Sequence, residues 1–118
     1  MDTILITGFK PFTTGQGLVL TDNPTGRWAK QIGDGLERGV SATLPVSFQR
    51  TKQTLRELFS VHRPRVWVGL GFAPHRSHID VEYVALNLEH ATRGDNDMDS
   101  PTLRPIVHGG PPAFNTRF

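Results

Sequence analysis

The chain has 118 residues, of which 36% are hydrophobic and 20% charged, with a formal net charge of +2 and no cysteine. That length holds a single domain, residues 1–118, and a near-balanced charge lacks the basic footprint of a nucleic-acid binder. The absence of cysteine excludes a disulfide framework, a thiolate metal site and any cysteine nucleophile within the chain.

Thr3-Ile4-Leu5-Ile6-Thr7 is a β-branched run stopped by Gly8, the pattern of a first buried strand in an α/β sheet. Residues 8–17, rich in Gly, Pro and Thr, form a loop at its carboxyl end and carry Phe9 and Phe12. Asn23-Pro24 places a capping residue before a proline at the first helical position, opening a helix through Trp28 and Ile32 that Gly33 and Gly35 end. Residues 40–46 read as strand two, ended by Pro45. Ser47 caps a second helix whose Phe48, Leu55, Leu58 and Phe59 recur at helical spacing to about His62.

Residues 65–70 are continuous and apolar, as a central parallel strand buried on both faces should be. The longest apolar run, 66–73, spans only eight residues and includes two glycines, so no membrane span is expected. The N-terminus has no secretory h-region, and a soluble, cytoplasmic protein is the expectation. Residues 79–88 alternate weakly and read as strand four with Glu82 inside it. From Glu89 onward the chain is Asp-, Gly- and Pro-rich and reads mostly as loop. The order strand, helix, strand, helix, strand, strand is half of a doubly wound fold: a three-layer α/β/α sandwich on a mostly parallel sheet that is incomplete at its C-terminal end.

Gly33, Gly35 and Gly39 come near a dinucleotide fingerprint, but they follow a helix and do not open one. There is no Gly-x-Ser-x-Gly elbow, Walker loop or His-Glu-x-x-His. His75 and His78 near Asp80 and Glu82 offer metal-ligand types, yet this spacing does not converge them, and neither metal nor cofactor is expected. Glu82 stands out, because a carboxylate within an apolar strand requires a partner. Either it forms a structural ion pair with Arg76 or Arg93, or it orients a catalytic histidine.

Five blocks in order carry a resemblance: Thr7-Gly8-Phe9-Lys10-Pro11-Phe12, Asn23-Pro24-Thr25, Leu44-Pro45-Val46-Ser47-Phe48, residues 71–77 (Gly71-Phe72-Ala73-Pro74-His75-Arg76-Ser77), and residues 81–87 followed by Arg93 and Asp95-Asn96. Together they resemble the N-terminal half of the pyroglutamyl peptidase I (pyrrolidone carboxyl peptidase) family, as do Pro105-Ile106-Val107 and Gly109-Gly110-Pro111-Pro112-Ala113. The resemblance implies an α/β/α cysteine omega-peptidase that removes N-terminal pyroglutamate from peptides. It implies Glu82 and Arg93 as catalytic residues, with Phe9, Phe12 and Phe72 around the substrate. The family's cysteine and histidine lie downstream of Phe118, so the chain by itself is expected to be inactive. The alternative is a non-catalytic homologue binding pyroglutamyl ends or a partner chain. The sequence departs from the family at Thr13 and Thr14, where two glycines stand, at Tyr83 for an arginine, and at His75 for a glycine. A sheet cut after strand four leaves apolar surface and a bare edge, so a homo-oligomer is expected.

Overall fold

The computed structural model describes residues 2–12 and 21–117. In chain order the elements are β1 (Ile4–Phe9), α1 (Pro24–Gly35), β2 (Gly39–Leu44), α2 (Phe48–His62), β3 (Val66–Gly69), β4 (Val84–Leu86) and β5 (Ala113–Asn115). The first three strands form a parallel sheet in the order β2-β1-β3, while β4 and β5 pair antiparallel in a sheet of their own.

The β2-β1-β3 order reverses direction after β2, so right-handed crossovers put α1 and α2 on opposite faces. Side-chain contacts agree. Gly8 turns toward Thr25 of α1. The next side chain back, Thr7, accepts a hydrogen bond at Oγ1 from Trp67 Nε1 at 2.9 Å, and the Trp67 ring meets Phe59 of α2 edge-on at 5.6 Å. Ile6 and Gly8 therefore line the α1 face, and Leu5, Thr7 and Trp67 the α2 face, with the period of two that a strand imposes.

Both helices start where the sequence places them. Asn23 Oδ1 accepts from the Thr25 N–H, with Pro24 at the first helical position, and Ser47 Oγ accepts from the Arg50 N–H. These caps satisfy amides that a helix start otherwise leaves without partners. Helix α2 closes on Arg63 in the left-handed region, φ 43°. Among the described residues the core is small, with Leu5, Ile6, Ala29 and Leu44 as its buried hydrophobic side chains.

Four expectations need correction. First, β1 runs through Gly8 to Phe9 instead of stopping at the glycine. Second, β3 is an edge strand, not a central one, and all four of its residues are exposed. An apolar run records what a strand can bury, and the strand that would cover its outer edge is absent among the described residues. Third, the fourth strand shrinks from 79–88 to Val84–Leu86 and leaves the parallel sheet to pair with β5. Glu82 thus precedes the strand. Fourth, the segment after Glu89 is better ordered by hydrogen bonds than loop composition suggested, holding an isolated bridge, Glu89 to Arg104, and β5. Helix α2 has the expected bounds but buries no residue fully, because the sheet beneath it is narrow. Of the loop expected over 8–17, residues 13–17 lie outside the described residues.

Candidate active site

Three strands end along one edge of a parallel sheet, the edge where α/β folds build sites. Phe9 is the last residue of β1, paired with Leu44 of β2, and Phe12 follows in the loop. On the other side Gly69 of β3 pairs with Thr7, and Leu70 N–H donates to Thr7 O at 2.8 Å, so the chain carrying Phe72 leaves β3 at the same end of the sheet. All three rings are half-buried.

The Phe9–Phe12 loop is fixed by the residues that carried the sequence pattern. Phe9 N–H donates to Thr25 Oγ1 at 2.9 Å, Thr25 Oγ1 donates to Asn23 Oδ1 at 2.8 Å, and Asn23 Nδ2 donates to Lys10 O at 3.1 Å. Asn23 and Thr25 are buried, so these are bonds that cannot be traded for water. From the far side, Asn96 Nδ2 donates to Pro11 O at 3.1 Å, and Asn96 N–H donates to Val46 O at 2.9 Å. Neighbouring Asp95 accepts the Phe48 N–H at 2.7 Å, adding a second acceptor to the α2 N-terminus that Ser47 caps. Four of the sequence blocks therefore meet at one place and hold one another.

The excursion 89–104, which carries Arg93, is tied at its base by a residue the sequence reading missed. Glu89 is 4% exposed, with Lys52 Nζ at 2.7 Å from one carboxylate oxygen and Arg104 Nε and Nη2 each at 2.7 Å from the other. Arg104 Nη2 also reaches Asp99 at 2.7 Å. The buried carboxylate sought at position 82 is thus at position 89. Its partners come from α2 and from fifteen residues downstream, and no local pattern announces them.

Glu82 itself is exposed, with 77% of its side chain open to solvent, contrary to the expected burial. The reason is its place outside the parallel sheet, ahead of β4. Its carboxylate pairs with Arg76 at 3.2 Å, one of the two partners expected, and Arg76 also meets Asp80 at 3.1 Å. Arg93 is exposed and, among the described residues, makes no ion pair or hydrogen bond with Glu82. The structure brings Phe9, Phe12 and Phe72 to one edge and leaves Glu82 apart in its own surface cluster. The 400 Å³ depression nearest that edge is shallow, polar and lined by Lys10, Thr43, Pro45, Arg50 and Glu57, with none of the three phenylalanines. Among the described residues no group of three or more His, Asp or Glu could hold a metal ion.

A family model described as pyroglutamyl peptidase matches residues 2–118. The chain belongs to the pyroglutamyl peptidase family. It is 36% identical over 115 residues to the pyrrolidone-carboxylate peptidase of Pyrococcus furiosus, covering 94% of this chain and 52% of that protein. It is 34% identical to the Yersinia pestis pyrrolidone-carboxylate peptidase, covering 100% of this chain and 54% of that one. The crystal structure of pyroglutamyl peptidase I from Bacillus amyloliquefaciens superposes with a TM-score of 0.85 at 34% identity, over 98% of this chain and 55% of that one. This family member therefore shares the fold of its relatives and spans about half the length of the curated relatives it matches. No helix of the described residues is long and apolar enough to cross a membrane.

The Glu89 network has a pH signature. Burial pushes the Glu89 carboxyl up, but hydrogen bonds from Lys52 and Arg104 outweigh it and leave the group below its ordinary 4.5. The Arg50 hydrogen bond lowers Asp97, and the Arg104 hydrogen bond lowers Asp99, both from 3.8. A carboxylate depressed on folding stabilises above its unfolded pKa and loses that contribution as pH falls through its folded value. Thermal unfolding should therefore be level from neutral pH to about 5 and fall steeply below about 4. Glu89→Gln should lower stability at pH 7 by ~1–2 kcal/mol, reduced from the figure for a fully buried pair because Lys52 and Arg104 are partly exposed. The same variant should flatten the acid limb. An unchanged acid limb in thermal melts would remove Glu89 from this role.

Proposed function

We propose that this chain carries the substrate-binding half of a pyroglutamyl omega-peptidase site and binds N-terminal pyroglutamyl ends without cleaving them. The observation that supports it is the loop of Phe9 and Phe12, fixed by Asn23, Thr25 and Asn96 at the carboxyl edge of the sheet, the edge from which the segment carrying Phe72 also departs. A pyroglutamyl ring is a small, flat, neutral lactam. It offers its faces to aromatic rings and its amide edge to hydrogen bonds, and a phenylalanine-lined strand end suits both.

In this reading Arg93 supplies positive charge near the acyl carbonyl, where negative charge develops during attack. Glu82 accepts the Nδ1–H of an imidazole and holds its tautomer, as the acid of a catalytic triad does. Acyl transfer through a covalent intermediate needs a nucleophile, and in the family that is a cysteine thiolate. This sequence has none. A cytoplasmic location belongs to the same reading, in keeping with a chain free of disulfides.

Purified protein should release no product from a pyroglutamyl aminocoumarin, and iodoacetamide should change nothing. It should nonetheless bind 2-pyrrolidone, with chemical-shift changes concentrated at Phe9, Phe12 and Phe72. Turnover abolished by alkylation would contradict the reading from one side, and 2-pyrrolidone shifts absent or scattered away from that edge would contradict it from the other.

A further inference from the structure

Residues 89–104 leave the fold and return to the same point with no helix or strand between. The base is bridged from both sides: Glu89 N–H donates to Arg104 O at 2.6 Å and Arg104 N–H to Glu89 O at 2.9 Å, and Ala91 N–H adds a rung to Pro101 O at 2.9 Å. Of the apolar residues in the segment, Ala91, Met98, Pro101 and Leu103, only Pro101 is buried. Hydrophobic burial therefore does not explain why the segment keeps one shape, and long loops that do keep one commonly belong to a site.

Two of its residues are held against their preference. Met98 and Leu103 have φ of 65° and 46°, the left-handed region in which a side chain crowds the backbone. Such conformations persist only where the surroundings impose them. Packing of their own side chains does not, since Met98 is 84% and Leu103 62% exposed. Their amides make local turn bonds, to Asp95 O at 2.9 Å and to His90 Nδ1 at 3.3 Å. Met98 stands directly before Asp99, and Leu103 directly before Arg104. Both left-handed turns thus deliver the next side chain to one charge cluster.

In that cluster the Arg104 guanidinium is clamped between two carboxylates, with Nε and Nη2 on Glu89 and Nη2 also on Asp99, each at 2.7 Å. Lys52 of α2 closes the other oxygen of Glu89 at 2.7 Å. Two cations face two carboxylates, so any other arrangement of the segment leaves a charge without its partner beside the buried Glu89. Buried ion clusters add little net stability over apolar packing, and their use here is to single out one arrangement.

We propose that the Lys52–Glu89–Arg104–Asp99 cluster is the positioning device of the pyroglutamyl site, holding the strained segment 89–104 in the one shape that braces the Phe9–Phe12 loop. Arg93 and Asn96 lie between the Ala91 rung and Asp99. Asn96 is anchored through its N–H to Val46 O and carries its side-chain amide to Pro11 O at 3.1 Å. Released from the cluster, the segment relaxes at Met98 and Leu103 and Asn96 withdraws from Pro11. The loop then loses its outer brace, while Asn23 and Thr25 still hold its inner side. The four charged residues act through Asn96 and Arg93, as positioning residues. What the loop binds rests on the pyroglutamyl reading, whereas the coupling between cluster and loop does not.

Two measurements on the full chain test this, titration with 2-pyrrolidone and hydrogen exchange at the Asn96 amide, both at a temperature where every variant is folded. Glu89→Gln keeps the shape of the side chain and removes its charge. It should raise the dissociation constant about 10-fold and speed Asn96 exchange by a similar factor. Arg104→Lys keeps the charge but loses the planar fork, and should do the same. Ala29→Gly weakens the core within α1; it should speed exchange at Ile6 and leave both readouts unchanged. Adding Leu103→Gly to Glu89→Gln puts at 103 the residue that adopts a left-handed φ without strain, and should restore most of the affinity and the protection. Unchanged readouts in Glu89→Gln and Arg104→Lys, equal effects from Ala29→Gly, or no rescue by Leu103→Gly would each overturn the proposal. Should the unaltered protein not bind 2-pyrrolidone, the pyroglutamyl reading falls, and Asn96 exchange with the Phe12 ring shifts still decides whether the cluster sets the loop. Should both charge variants fail to fold, the Ala91 and Asn96 amides of the unaltered protein should open with one common constant, and separate constants would overturn the coupling.

Discussion

Gly8→Ala should cost the fold at least about 3 kcal/mol, a large part of the 5–15 kcal/mol by which a domain of this kind is stable. A Cβ at position 8 would stand 2.1 Å from Thr25 O and 2.6 Å from Gly26 N. Both are backbone atoms of the first turn of α1, so no side-chain rotation relieves the overlap. The helix would have to lift off β1, and the interior is packed too densely to absorb a shift of that size. Lifting α1 also breaks the Phe9–Thr25 hydrogen bond, so the phenylalanine loop loosens with the helix. In urea unfolding followed by tryptophan fluorescence, Gly8→Ala should be largely unfolded at low denaturant. A midpoint close to that of the unaltered chain would show that α1 does not approach β1 as closely as drawn.

Asn23→Ala should cost about 3 kcal/mol, well above the ~1 kcal/mol of an ordinary N-cap. The amide of Asn23 is a cap and a bridge together. It accepts from the Thr25 N–H and from Thr25 Oγ1, and it donates to Lys10 O. Truncation leaves two buried donors on Thr25 without an acceptor, and unmade bonds at buried groups are the costly ones. Asn23→Asp keeps both acceptors but turns a carboxylate oxygen toward the Lys10 carbonyl, so it should preserve α1 while releasing the Phe9–Phe12 loop. The paired outcome is diagnostic: Asn23→Asp near the original midpoint, with faster hydrogen exchange at Phe9 and Lys10, and Asn23→Ala far below it. Equal midpoints for the two variants would reduce Asn23 to a simple cap.

Local chemistry settled much of this protein before any tertiary contact was considered. Asn23-Pro24 and Ser47 open the two helices because a side-chain acceptor and a proline act on amides two or three residues away. The run Thr3 to Thr7, rich in β-branched residues, yields a strand with Leu5, Ile6 and Thr7 buried, because a sheet interior hides such residues well. The α/β class follows from the alternation of these elements. The sequence blocks also named the residues that build the Phe9–Phe12 loop, although their spacing said nothing of how Asn23, Thr25 and Asn96 hold it.

What tertiary structure alone decided concerns neighbours far along the chain. Gly8 looks like a strand terminator, yet the strand passes through it, and the glycine is needed because α1 crosses within contact of its Cα. The run 66–69 looks like a central strand, but whether its edge is covered depends on what stands beside it. Glu82 looks like the buried carboxylate because its apolar neighbours suggest a strand interior. Instead β4 pairs with β5 thirty residues away and leaves Glu82 in solvent, while Glu89 is buried between Lys52 and Arg104. Burial of a charge is a property of the partners that reach it, and those partners are brought by the fold, not by the residues on either side.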